Sequence, residues 1–271
     1  MKQAVVTKWN KYFVAGLLMT GLAVFLGILG LFWPPYSTTA MSAAEKFAPP
    51  SLRHLFGTDN FGRDIFSRVM QGLGTTVTIS SLVVLFSGGI GILLGALTGY
   101  FGGLLDEAVM RVTDAVNGFP SILLTLVIIS ILGSGRQNVI LSLGIVFVPS
   151  YVRIVRGEFI RLRDADYISR ARLMGVGKLR ILFVHILPNI FSVFWVSVMI
   201  GFNNAILAES GMSYLGIGVQ APDASLGNML SDAQGYLQRA SWYALAPGLA
   251  IVWLVLGFSL FGEGVRRRGQ T

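Results

Sequence analysis

Uncharged stretches about as long as a bilayer is thick recur along the whole of this chain. A transmembrane helix needs roughly 20 mostly apolar residues. Runs of that order without Asp, Glu, Lys or Arg occupy residues 12–32, 72–105, 115–135, 181–208 and 242–262, and a shorter run covers 137–152. Only 13% of the 271 residues are charged, about half the share of an average soluble domain, roughly 25%. Lipid hydrocarbon is therefore the main solvent, and the expected fold is all-α with six transmembrane helices.

The polar stretches between the runs set the orientation. Lys and Arg accumulate on the cytoplasmic side of membrane proteins. With both termini cytoplasmic, 15 of the 21 Lys and Arg residues fall on that side, whereas the opposite orientation inverts the rule. This places residues 37–72 and 209–241 outside the cytoplasm and the chain in a bacterial or archaeal cytoplasmic membrane. Trp33 and Tyr36 suit the interfacial aromatic belt, and Pro34-Pro35 ends the first helix. That first run is longer than the apolar region of a signal peptide and reads as a retained helix. The net charge of +8 does not indicate nucleic acid, because the basic residues sit between apolar spans rather than on one solvated face.

Within the spans, Gly91, Gly95 and Gly99 recur every fourth residue, so one helix face is nearly bare backbone and can approach another helix closely. Residues 106–114 read as a short polar turn, and residues 153–180 as the most basic loop. In residues 53–70, Ile65, Phe66, Val69 and Met70 form an apolar stripe, with Asp64 and Arg68 spaced to pair at i, i+4. An ordered element outside the cytoplasm is expected there.

No catalytic constellation is apparent. The chain has two separated histidines, His54 and His185, and no cysteine, which leaves no metal-ligand spacing and no catalytic or metal residues to assign. Gly175-Val176-Gly177-Lys178-Leu179 lacks the earlier glycine and the Ser or Thr of a phosphate-binding loop. Ion-coupled transporters place ionisable residues at mid-membrane depth, and here the nearest is Glu209, expected at the end of the fifth span just after Asn203 and Asn204. These three are the candidates for a translocation path. A secondary transporter or channel without an ATPase is the rival reading, and a purely structural membrane subunit a third.

The basic segment reads as a short helix, a glycine break and a second helix. Tyr167, Arg170, Leu173 and Met174 share a face at i, i+3 and i+4 offsets, and Gly175 can take the left-handed conformation that ends a helix. Its spacing from Ser169-Arg170-Ala171 through Gly175 to Leu187-Pro188 resembles the EAA motif of ABC importer permeases, with Ser169 and Arg170 in place of the motif's Glu and first Ala. Further segments are similar to the C-type subunit of dipeptide, oligopeptide and nickel permeases: Phe56 to Arg68, Gly99 to Gly103 with Met110 to Asp114 and Phe119-Pro120, Glu209 to Gly218, and Pro222 with Gly227 to Leu230. The chain ends without the Asp-Pro usual in that family after the last basic cluster.

The resemblance implies a type I ABC importer permease fold. Its expected parts are an N-terminal helix and outer segment over 1–73, a permease core over 74–263 with a coupling loop at about 153–185, and a basic tail over 264–271. It implies that Ser169, Arg170, Ala171, Leu173, Met174 and Gly175 dock on a cytoplasmic ATPase. The implied partners are a related second permease, two ATPase subunits that bind ATP and Mg, and an extracytoplasmic substrate-binding protein, with no cofactor on this chain itself. The implied cargo is di- or oligopeptides, or alternatively nickel or a metal chelate.

Overall fold

The computed structural model describes residues 10–268, so Lys2, Lys8 and residues 269–271 of the basic tail lie outside it. Five long helices carry the architecture: α1 (Lys11–Phe32), α2 (Ile65–Phe101), α5 (Arg136–Arg163), α8 (Leu187–Tyr214) and α10 (Ser241–Arg268). Between them lie α3 (Gly103–Asn117), α4 (Ser121–Leu132), α6 (Asp166–Leu173), α7 (Lys178–Arg180) and α9 (Leu226–Ala233), with a π-helical turn at Ile181–Ile186 leading into α8. One end of the bundle holds the start of α1, the end of α10 and the α6–α7 segment, and is called here the basic end. The other end carries a platform formed by residues 37–64 and 215–240.

The pairing of α2 with α5 follows from the glycine ladder. A Cβ placed on Gly91 would lie 2.2 Å from Cβ of Tyr151, and one on Gly99 would lie 2.6 Å from Cβ of Phe159. The two backbones touch because nothing intervenes. Val83, Val84, Tyr151, Val198 and Ile206 continue this contact into the main apolar core.

Several element boundaries differ from the sequence reading. The third crossing is not one helix over 115–135: α3 and α4 meet at a bend of 92° around Gly118-Phe119-Pro120. α4 has 12 residues, about 18 Å of rise, and cannot span a bilayer by itself. The expected polar turn at 106–114 lies within α3, where Asp106 meets Arg156 of α5 at 2.5 Å and Asp114 meets Arg153 at 2.9 Å. Those ion pairs hold a charged helix against a neighbour, which residue polarity alone cannot reveal. For the same reason residues 153–163 are helical rather than loop, and α5 runs past the uncharged stretch 137–152 with Pro149 inside it.

The platform explains why α2 starts before the uncharged run. The Asp64 side chain accepts from the Ser67 N–H at 2.8 Å and caps the helix. Asp64 does not pair with Arg68 as its spacing allowed: it meets His54 Nδ1 at 2.9 Å. Arg68, 2% exposed, donates to the Thr38 carbonyl at 2.9 Å and lies 3.8 Å from Asp59. Asp59 in turn accepts from the Phe61 and Arg63 N–H groups and from Arg63 Nε. Residues 53–70 are thus an ordered element, with Ile65, Val69 and Met70 buried beneath it.

Candidate translocation cavity and coupling segment

A cavity of about 550 Å³ opens on one side of the bundle. Three pieces of chain supply its polar groups. The α3–α4 bend brings Asn117 and Ser121, α5 brings Ser150 and Tyr151, and α8 brings Ser197 and Asn204. The rest of the lining is apolar, and among the described residues no acidic or basic side chain lines the cavity. Gly201 of α8 makes room for Tyr151, whose hydroxyl would lie 1.8 Å from a Cβ at that position. Tyr151 is 3% exposed and its Oη has no hydrogen-bond partner among the described residues.

The three path candidates separate in space. Asn204 lines this cavity. Asn203, one residue away and so about 100° round the helix, faces a second cavity of about 320 Å³ between α8 and α10, beside Ser259, Glu263 and Arg266. Glu209 lines neither cavity. It is not at the end of its helix but inside α8 and fully buried. Its carboxylate accepts from Thr76 Oγ1 of α2 at 2.8 Å and from Ser213 Oγ at 2.7 Å. Ser213 Oγ also accepts from the Val219 N–H at 3.1 Å. Glu209 therefore fastens α2, α8 and the turn after α8 together. Hydroxyls in otherwise apolar spans, Thr76 and Ser213 here and Ser150 and Ser197 on the cavity, were the available sequence signal, but serine in a membrane helix more often bonds its own backbone, as Ser197 does to the Val193 carbonyl at 3.0 Å.

At the basic end, α6 turns two different faces. Ile168 is completely buried in an apolar cluster with Phe159 of α5, Ile181, Leu182 and Ile186 of the π turn, and Ile190 of α8. Ala171 is also buried, so it faces the bundle rather than an outside partner. On the other face Leu173 is 89% and Met174 77% exposed, with Ser169 and Arg170 exposed beside them. Gly175 has φ +77°, the left-handed break its position called for, and its N–H donates to the Arg172 carbonyl at 3.0 Å. Arg172 donates to the Arg163 carbonyl at 3.1 Å, and Arg163 to the Gly99 carbonyl at 3.2 Å, so α6 is tied to α5 and α2. Leu173 and Met174 are thus large apolar side chains left uncovered by their own chain.

Residues 91–268, which include α8 and the whole α6–α7 segment, match the family of binding-protein-dependent transport system inner membrane components. The chain belongs to this family. It is a multi-pass inner-membrane permease subunit of an ABC importer. Over 265 residues it is 37% identical to the dipeptide transport system permease protein DppC of Haemophilus influenzae, covering 96% of this chain and 90% of that protein. The DppC of Escherichia coli K12 is 39% identical, with 96% and 88% covered. The di/tripeptide transport system permease protein DppC of Pseudomonas aeruginosa is 36% identical, with 95% and 87% covered. A chain of the MetNI methionine ABC transporter superposes with a TM-score of 0.62 at 19% identity, covering 74% of this permease and 95% of that chain. That likeness shows the fold.

Proposed function

We propose that this permease forms half of a path for short peptides, with the 550 Å³ cavity as its wall, and that the cytoplasm lies at the basic end. The observation that carries this reading is the chemistry of the cavity: side-chain amides and hydroxyls from three pieces of chain, and, among the described residues, no acidic or basic group. Such a wall exchanges hydrogen bonds with peptide main-chain groups and offers a metal ion no imidazole or carboxylate. The peptide substrates named for the relatives support the same cargo.

A related permease closes the open side of the cavity, and a binding protein delivers cargo at the platform. Two ATPase subunits bind ATP and Mg and meet the exposed face of α6 at Leu173, Met174, Ser169 and Arg170. Because Ile168 is packed with residues of α5, the π turn and α8, a push on α6 is delivered to two of the helices that line the cavity. The chain performs no covalent chemistry. It changes which side of the membrane the cavity faces, and the ATPases supply the free energy.

The test is reconstitution of the four-part assembly with its binding protein. Hydrolysis of ATP stimulated by di- and tripeptides, with peptide accumulating in proteoliposomes, is the expected result. Stimulation by nickel or a metal chelate and not by peptides would overturn the cargo. Transport without any ATPase would overturn the coupling and favour a secondary transporter. Orientation is read separately in the cysteine-free chain. Leu52→Cys on the platform should react with an impermeant thiol reagent from outside the cell, and Leu173→Cys only from the cytoplasmic side.

A further inference from the structure

Helix α1 is gripped at two places by two different neighbours. Toward the basic end, Gly16 lies against Leu260 and Phe261 of α10, and Gly257 and Gly264 of α10 lie against Thr20 and Phe13. Toward the platform, Gly27 lies against Gly74 and Gly30 against Met70, both in α2. A helix that hugs one partner and then another opens a wedge where the two diverge. That wedge is present as a groove of about 420 Å³ between α1, α2 and α10, roofed by the platform loop at Pro50, Leu55 and Phe56. Leu22 and Leu26 of α1, Leu73 of α2 and Leu249 of α10 line it, and Trp242 and Trp253 flank it. Trp253 Nε1 donates to the Met19 carbonyl at 3.0 Å and ties α10 to α1.

The geometry points to this groove as a binding site for one acyl chain of a phospholipid from the platform-side leaflet. The medium around α1 and α10 is hydrocarbon, and the lining consists of aliphatic, aromatic, Met and Pro side chains, so an apolar occupant is required. Its size selects a single chain. At roughly 30 Å³ per water-sized group, the groove takes about fourteen such groups, close to the length of a fatty-acyl tail. The sister subunit is needed elsewhere, against the open cavity built from α3, α4, α5 and α8, none of which lines the groove. Arg53 falls in sequence between the lining residues Pro50 and Leu55, with its side chain 71% exposed and Nη1 2.7 Å from Glu45. Its other guanidinium donors suit a phosphodiester. Part of this argument, the position of the sister subunit, rests on the proposed function.

The test uses the complete transporter purified in detergent, where bulk bilayer is absent, and native mass spectrometry of the released permease. One phospholipid per permease is expected to survive purification. Filling the groove with Ala246→Phe and Ala250→Phe should lower its occupancy at least fivefold, while Leu18→Phe, on a face of α1 that is 67% exposed and outside the groove, should leave it unchanged. In unfilled protein carrying Trp242 and Trp253 as its only tryptophans, phospholipid with brominated acyl chains should quench fluorescence at least twofold more than brominated detergent at equal mole fraction. This second readout holds even where the filled variant folds poorly. Absence of retained lipid, equal retention in the filled variant, retention of free fatty acid instead of phospholipid, or a cross-link from Leu249→Cys to the sister permease would each overturn the site. Peptide transport that fails while lipid is retained would count against the proposed function and not against the groove.

Discussion

The platform and the α6 segment are both polar regions at the ends of membrane helices, yet they are built in opposite ways. In the platform, charges are taken out of water and matched: Arg68, Arg63, Asp59, Asp64 and His54 are all buried and meet one another or backbone groups. At the basic end, α6 buries Ile168 and Ala171 and leaves Leu173 and Met174 almost fully in solvent. A buried charge network loses heavily when one member is removed, because the others stay behind unpaired. An exposed apolar residue loses nothing within its own chain. The platform is therefore a part the permease needs in order to fold, and the outer face of α6 a part its own fold does not need, which leaves it free for the ATPase contact proposed above.

Substitutions can break or sharpen this contrast. The largest effect is expected for Asp59→Ala, which removes the acceptor of two backbone N–H groups and of Arg63 Nε at 2.6 Å and strands Arg63 and Arg68. A loss of about 3–5 kcal/mol is expected, seen as a sharp fall in membrane abundance and in the melting temperature of detergent-solubilised protein. A melting temperature equal to that of the parent would remove the distinction between the two regions.

Gly91→Val comes next. Its Cβ would sit 2.2 Å from Cβ of Tyr151, so α2 and α5 must part, at about 1–3 kcal/mol. Because Tyr151 also reaches Gly201 beside the cavity, transport should drop more than abundance. Equal losses in the two measurements would mean that the contact is structural only.

Leu173→Asp and Gly175→Val probe the other region. Gly175 holds φ +77°, and a β-branched residue there costs about 1–2 kcal/mol locally. Both variants should insert and pair with the sister permease normally, while ATPase affinity falls roughly tenfold, about 1.4 kcal/mol, and substrate-stimulated hydrolysis falls with it. Pull-down of the ATPase and hydrolysis assays in proteoliposomes measure this, and wild-type values for both variants would return the segment to a solvated linker.

The smallest effect belongs to Asp232, on the platform helix α9. Burial pushes its carboxyl above the usual carboxylate range, against the opposing pull of Arg68 and Arg63. A group with a raised folded-state pKa stabilises the fold below its unfolded pKa, and that contribution is lost as pH rises through the folded value. Asp232→Asn, which stays neutral, should therefore gain on the parent at neutral pH by less than about 1 kcal/mol, and the difference should vanish toward pH 4. Melting curves across pH report this, and a gap that widens on acidification would reverse the assignment.

Much of this was legible in the residues themselves. Four long uncharged runs announced α1, α2, α8 and α10 and the shorter run at 137–152 announced α5, the ladder of Gly91, Gly95 and Gly99 announced a backbone contact, and Gly175 announced a left-handed break. Each is a local property: hydrocarbon demands apolar length, and a missing Cβ permits both close approach and positive φ. The path was less legible. Asn204 lines the cavity but its neighbour Asn203 does not, since adjacent residues on a helix point in different directions. Glu209 looked like an interfacial charge, yet Thr76, 133 residues away along the chain, meets it in the interior.

The sequence by itself determined the medium, the helical class, five of the six expected spans and the family resemblance, because all of these depend on which residues follow one another. Only the tertiary structure decided that α3 and α4 bend where one span was expected, that Asp64 chooses His54 over Arg68, and that Ala171 faces in while Leu173 faces out. Those outcomes turn on which helix lies beside which. Ion pairs and hydrogen bonds between distant residues outweigh the polarity of a short segment once folding has brought them together.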